Sequence, residues 1–299
     1  MLKVVTFMKQ VAKGLQMEGN FGTAHVYRSS LNAIIAYCGK EDFTFDEVNP
    51  EWLKGFEVHL RSRGCSWNTV STYLRTFRAV YNRAVNSRMV VYTPHLFRSV
   101  YTGTRADHKR ALCDEDMKKV FAKLSRTSGV PFAVCQAQEL FILMFSLRGM
   151  PFVDLAYLRK SDLRDNVITY RRRKTGQQLF IRWEKCMQEI LDKYPVNETE
   201  YLLPIITKRD EDYRKQYANE LHRVNHLLKK IGKQLDLPIP LTMYVGRHSW
   251  ASIAKSRNVP ISVISEGMGH DSENTTQIYL ASLDTTVVDK ANKRILDLL

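Results

Sequence analysis

One β-rich pair interrupts a chain whose apolar residues otherwise recur at helical spacing. Val167-Ile-Thr-Tyr170 and Leu179-Phe-Ile181 are short runs of β-branched and aromatic residues. Between them lies Arg171-Arg-Arg-Lys-Thr-Gly176, with Thr-Gly as the turn, so the pair reads as a hairpin carrying a tight basic cluster. A lone hairpin among helices restricts the chain to a mainly α fold with a small antiparallel sheet.

The first hundred residues read as helices. Residues of roughly 3–18 and 23–38 carry helical apolar spacing. Asn49-Pro50 is a start signal, with Asn as N-cap and Pro at the first helical position. Gly64 ends that helix and Ser66 opens the next, whose stripe is Val70, Tyr73, Leu74, Phe77, Tyr81 and Val85. Its other faces carry Thr69, Arg75, Arg78 and Arg83. Such a basic, hydroxyl-rich helix suits a DNA groove, and equally the solvated face of an ordinary bundle. Residues of about 98–110, polar and basic without periodicity, read as a linker. The expected division is a helical DNA-binding domain at 1–103 and a mostly helical domain with the small sheet at 104–299.

Lys plus Arg number 45 against 31 Asp plus Glu, a formal charge of +14 that points to a polyanionic partner, most often nucleic acid. The five cysteines include no CxxC pair, which fits neither a disulfide framework nor a zinc site and suggests a reducing cytoplasm. No signal-peptide pattern opens the chain. The strongest apolar run, Leu140–Leu147, is too short for a bilayer and is followed directly by Arg148, so no membrane role is expected. His222 and His226 stand four apart, but lack the Glu of a zinc-protease motif and are flanked by cations; surface or DNA-backbone contact is expected rather than metal.

Four separated segments concentrate chemistry: Ser146–Leu155, Arg173-Lys-Thr-Gly176, Tyr244–Ala251 and Met268–Tyr279. Arg148 and Arg247 both sit in apolar surroundings. A buried guanidinium needs an anion, which could be an internal carboxylate or a phosphodiester that it grips bidentately.

In order, these segments resemble the tyrosine recombinase (phage integrase) family in its short two-domain form, through that family's Arg, Lys, His-x-x-Arg, Leu-Gly-His and Tyr boxes. Spacing agrees too: His270 follows Arg247 by 23 residues and Tyr279 follows His270 by 9. The first part resembles the family's core-binding domain, a SAM-like four-helix bundle, in outline. The resemblance implies a site-specific recombinase in which Tyr279 attacks a DNA phosphate to form a 3′-phosphotyrosyl link. Arg148 and Arg247 would hold the non-bridging oxygens, Lys174 would protonate the leaving 5′ oxygen, and His270 would hydrogen-bond the phosphate. The hairpin arginines Arg171, Arg172 and Arg173 are expected on DNA. The covalent link conserves the bond energy, so no cofactor is expected, and the charged side chains would do the work of a metal, so no metal is expected either.

Two departures stand out. Tyr244 occupies the position where the family has His, and a tyrosine ordinarily titrates near 10, which makes it a poor proton shuttle. About three extra residues separate Arg148 from the acidic Asp154. His248 and Asp154 are expected to support their neighbours. Implied partners are double-stranded DNA with short inverted-repeat sites and three further copies of the chain. The expected contact between copies is a terminal helix with Val287, Val288, Ala291, Ile295 and Leu298 on one stripe. A bacterial, nucleoid-associated location follows. The competing reading is a non-cleaving DNA-binding protein on the same scaffold, with Pro260–Leu280 as a helix-turn-helix.

Overall fold

The computed structural model describes residues 1–41, 43–105, 111–122, 129–280 and 296, and for 278 and 279 the backbone alone. The chain divides into two compact units, Met1–Asp107 and His108–Leu299.

The first unit is built of α1 (Val4–Met17), α2 (Phe21–Cys38), α3 (Pro50–Ser62) and α4 (Trp67–Asn86). The caps are those the sequence signals. Asn49 Oδ1 accepts from the Trp52 N–H at 2.8 Å, and Ser66 Oγ accepts from the Thr69 N–H at 3.2 Å. Each cap satisfies a helix N–H that would otherwise lack an intrahelical partner. Leu53, Phe56, Leu74 and Phe77 face inward and are wholly buried, worth about 1.5–3 kcal/mol each relative to exposure.

Residues 98–105, expected to be linker, fold back onto α3 and α4. The Tyr101 N–H donates to Glu57 Oε2, Ser71 Oγ donates to the Gly103 carbonyl, and Asn68 exchanges two hydrogen bonds with the Arg105 backbone. Arg61 and Arg105 both lie over the Trp67 ring, at 4.7 and 4.4 Å from its centroid. Side-chain-to-backbone bonds and cation–π contacts leave no apolar period in the sequence, so this docking was not legible there.

The second unit runs α5 (Asp114–Phe121), α6 (Phe132–Ser146), α7 (Phe152–Ala156), β1 (Leu163–Arg164), β2 (Val167–Arg171), β3 (Gln178–Arg182), α8 (Lys185–Leu191), α9 (Tyr213–Gln234), α10 (Met243–Ser256), α11 (Ile261–Met268) and α12 (Glu273–Leu280). α6 is apolar through its C-terminal half and accordingly central, with Leu140, Phe141, Leu143 and Met144 buried where it packs on α9 and α10. No helix among the described residues is long and apolar enough to cross a membrane. The stripe expected at 287–298 lies outside the described residues.

The sheet is antiparallel, in the order β1-β2-β3, with Val167 opposite Arg182 and Arg171 opposite Gln178. Its alternation is strict: Ile168, Tyr170 and Arg172 point inward with Leu179, Ile181 and Trp183. Arg171 and Arg173 are thereby exposed and Arg172 is not. Two bonds close the loop between the strands, the Arg172 N–H to the Gln177 carbonyl and the Gly176 N–H to the Arg172 carbonyl, both at 2.8 Å.

Candidate active site

α6 ends in a left-handed pair, Arg148 at φ 58° and Gly149 at φ 68°. For arginine that conformation costs about 1–2 kcal/mol, and a cost held in place by packing marks a site where geometry matters. Gly149 is required for a second reason. A Cβ there would stand 3.0 Å from the Arg247 Cα. The Gly149 carbonyl accepts from Arg247 Nη1 at 2.7 Å. Arg148 is half-buried, and its Cδ flanks Gly267 beside the Trp250 ring.

α11 ends in two reversed bonds, His270 N–H to the Ser265 carbonyl at 3.0 Å and Gly269 N–H to the Glu266 carbonyl at 2.9 Å, with Gly269 left-handed at φ 63°. This turn leaves the Met268 and Gly269 carbonyls at the negative end of the helix. Two buried arginines meet them. Arg247, 4% exposed, donates from Nη2 to the Met268 carbonyl at 2.8 Å and to His270 Nε2 at 3.0 Å. Arg172, 6% exposed, donates from Nη1 to the Met268 and Gly269 carbonyls, both at 2.6 Å. Placing Arg172 on DNA with its neighbours is therefore corrected: strand parity turns it into the core, where it bonds backbone rather than phosphate.

A guanidinium only donates, so His270 Nε2 accepts and its ring proton lies on Nδ1. That proton is donated to Thr276 Oγ1 at 2.8 Å. Burial first, and then the charges of Arg247, Arg172, Lys174 and His248, push the His270 pKa down to about 4. The imidazole is neutral at physiological pH. Direct donation from Nε2 to a phosphate would require that nitrogen to give up its bond to Arg247.

Asp154 sits beneath the hairpin, 3% exposed. Its Oδ1 accepts the Arg173 N–H at 3.0 Å, and its Oδ2 lies 3.8 Å from Arg172 Nε. Burial raises its pKa, against the lowering effect of the Arg173 N–H and the neighbouring arginine charges. Lys174 is exposed at the hairpin tip, and Arg173 lies over the Tyr157 ring at 4.2 Å. Tyr244 is exposed and meets the His248 ring edge-on at 4.4 Å between centroids. Tyr279 lies on α12, one turn past Thr276. The helix is tied on both sides of it, by Thr276 to His270 and by the Leu280 carbonyl, which accepts from Lys255 Nζ at 3.2 Å.

All four segments thus meet through direct hydrogen bonds, Gly149 and Asp154 bringing in the first. Thr276, the partner of His270, was not singled out as a site residue; its signal is a hydroxyl one turn before the tyrosine. Arg75, Arg78 and Arg83 are exposed on α4, in the first unit, while the Thr69 hydroxyl bonds Ser66 at 3.0 Å within the helix cap. Among the described residues no three His, Cys, Asp or Glu side chains gather as a metal site would need.

In the second unit, beside a three-stranded sheet, a buried guanidinium, an imidazole and a tyrosine-bearing helix gather around one turn, the side-chain types that meet a phosphate group. Known proteins supply the family. The phage integrase SAM-like domain matches residues 3–99, and the phage integrase family model matches residues 135–286. The chain belongs to the phage integrase family and is a tyrosine site-specific recombinase. It is 22% identical to tyrosine recombinase XerD of Listeria monocytogenes over 276 residues, 86% of each chain. It is 25% identical to tyrosine recombinase XerA of Thermococcus kodakarensis over 240 residues, 78% of this chain and 77% of that one. Among solved structures, a lambda integrase dimer bound to a COC′ core site has a TM-score of 0.67 at 17% identity, covering 93% of this chain and 95% of that one. The Tn1549 transposon integrase in complex with a circular intermediate DNA has a TM-score of 0.68 at 16% identity, covering 98% and 100%. A lambda integrase tetramer bound to a Holliday junction has a TM-score of 0.65 at 17% identity, covering 93% and 77%. The non-cleaving reading is not favoured, since the catalytic model spans every segment of the site.

Proposed function

We propose that Tyr279 is the nucleophile of this recombinase. Its phenolic oxygen attacks the scissile phosphorus, a P–O(Tyr) bond forms on the 3′ side, and the P–O5′ bond breaks. Arg148 and Arg247 meet the charge that develops on the non-bridging oxygens, where losing one preorganised donor commonly costs about 10²–10³ in rate. Lys174 gives the departing 5′ oxygen its proton. His270 acts through Arg247, holding one guanidinium nitrogen by its Nε2 lone pair. Reversal by the 5′-hydroxyl of a partner strand rejoins the DNA, and two rounds proceed through a Holliday junction. The expected assembly is four copies on short inverted-repeat sites, serving DNA inversion or element integration and excision at the bacterial nucleoid. Exposed Arg75, Arg78, Arg83, Arg171 and Arg173 are the proposed DNA-backbone contacts.

The observation that carries this reading is the convergence of Gly149, Met268 and His270 on the guanidinium of Arg247. A nicked suicide duplex tests it. The wild-type chain should give an SDS-resistant DNA adduct and Tyr279→Phe none. An adduct with Tyr279→Phe, or none with the wild type on its cognate site, overturns the assignment.

A further inference from the structure

Arg172 is a buried cation that the proposed chemistry does not use. Its side chain is inward by strand parity, and its Nη1 spans the last two carbonyls of the α11 turn at 2.6 Å each. Its backbone closes the hairpin loop at both hydrogen-bonding groups, N–H to Gln177 and carbonyl to Gly176. Thr175 Oγ1 adds a bond to the Gly269 carbonyl at 3.3 Å, and Gln177 Nε2 one to the His270 carbonyl at 3.1 Å. The Asp154 carboxylate faces the same guanidinium at 3.8 Å and holds the next N–H of the loop. A Cβ on Gly269 would come within 3.0 Å of the Arg172 Cδ, so the turn and the arginine stem are in close contact. The four loop residues 173–176 are thus fastened at their base to the turn that carries His270, while Lys174 itself reaches solvent.

From this we infer that Arg172 is a positioning residue for Lys174: it locks the hairpin to the His270 turn, and so sets where the lysine ammonium stands when the 5′ oxygen departs. The inference rests on the reading of Lys174 as the general acid. Charge-assisted bonds to carbonyls at a helix C-terminus are among the stronger protein hydrogen bonds, and here they join two chain segments 96 and 97 residues apart. Nothing else in the described loop supplies a buried charge. Thr175 and Gln177 give neutral bonds of ordinary length.

The test compares two nicked suicide duplexes, one with the ordinary 5′-bridging oxygen and one with sulfur in that position. A thiolate leaves without a proton, so a defect confined to the acid disappears on the sulfur substrate. Arg172→Met should slow cleavage of the oxygen duplex by about 10²-fold, within the span of general-acid contributions. It should recover to within about 10-fold of wild type on the sulfur duplex. Lys174→Ala is run beside it. If Lys174→Ala is not rescued by sulfur, the acid assignment fails, and this inference fails with it. If Lys174→Ala is rescued but Arg172→Met is slow on both substrates, Arg172 is structural and the inference alone is overturned. Arg172→Met cleaving the oxygen duplex like wild type overturns it as well. Should circular dichroism find Arg172→Met unfolded, Arg172→Lys replaces it. One ammonium lacks the fork that reaches the carbonyls and the carboxylate together. An intermediate loss on oxygen, restored by sulfur, supports the inference; an equal loss on both contradicts it.

Discussion

Lowering the pH from 7 to 5 should destabilise the protein through one imidazole. His270 is held to a pKa of about 4, against an ordinary value of 6.5. Its depression comes from burial and from the Arg247 cation 3.0 Å from Nε2. Between those two values the unfolded chain binds a proton that the folded chain refuses. The stabilising preference for neutral His270 is therefore full above pH 6.5 and is lost as the pH falls towards 4. Linkage over that window gives about 2 kcal/mol between pH 7 and pH 5, with a ceiling of about 3 kcal/mol at lower pH. That is a sizeable part of a typical domain's stability of about 5–15 kcal/mol. The assay is urea unfolding at pH 5, 6, 7 and 8 for the wild type and His270→Gln. Glutamine offers an acceptor to Arg247 and a donor to Thr276 but does not titrate. The wild-type stability should fall with acid by about 2 kcal/mol more than that of the variant, because the remaining titrating groups are common to both. Equal pH slopes, or an NMR titration placing His270 near 6.5, would refute the neutral, Arg247-accepting imidazole.

Other substitutions probe the same geometry. Gly149→Ala puts a side chain on a left-handed residue against the Arg247 backbone; it should cost about 1–2 kcal/mol in urea unfolding and slow suicide-substrate cleavage by at least about 10-fold. Thr276→Val leaves the His270 Nδ1–H without its acceptor at a buried position, so denaturation should show a loss of about 1–3 kcal/mol. Tyr244→Phe keeps the ring contact with His248 and should cleave within about 2-fold of wild type, while Tyr244→Ala should lose more; a large loss with Phe would give the hydroxyl a direct role. Binding to the cognate duplex should weaken by about 10³-fold or more between 50 and 200 mM salt if both units neutralise phosphates.

Much of this fold was legible because its signals are local. The Asn49-Pro50 and Ser66 caps, the β-rich pair and the apolar α6 each announce an element within a few residues. The ordered boxes likewise point to Arg247 and His270, which the structure joins by a hydrogen bond, since order and spacing survive when contacts are unknown; Arg148 and Tyr279 as site residues rest on the resemblance. What stayed hidden depends on direction and partners. Arg172 was grouped with Arg171 and Arg173 as one basic cluster, although counting by twos from Ile168 and Tyr170 turns it inward. The resemblance gives His270 its expected role, whereas its tautomer and charge follow from Arg247 and Thr276, the first of them distant in sequence. The docking of residues 98–105 is made by polar and cation–π contacts that no hydrophobic period records.

The central claim is that a tyrosine on α12, and not another group, becomes covalently joined to DNA. Peptide mapping of the trapped adduct tests it most directly. After nuclease trimming of a suicide-substrate complex, tandem mass spectrometry should find a nucleotide phosphate on Tyr279 and on no other residue. A nucleotide on the exposed Tyr244, or on any serine or histidine of the site, would contradict the account.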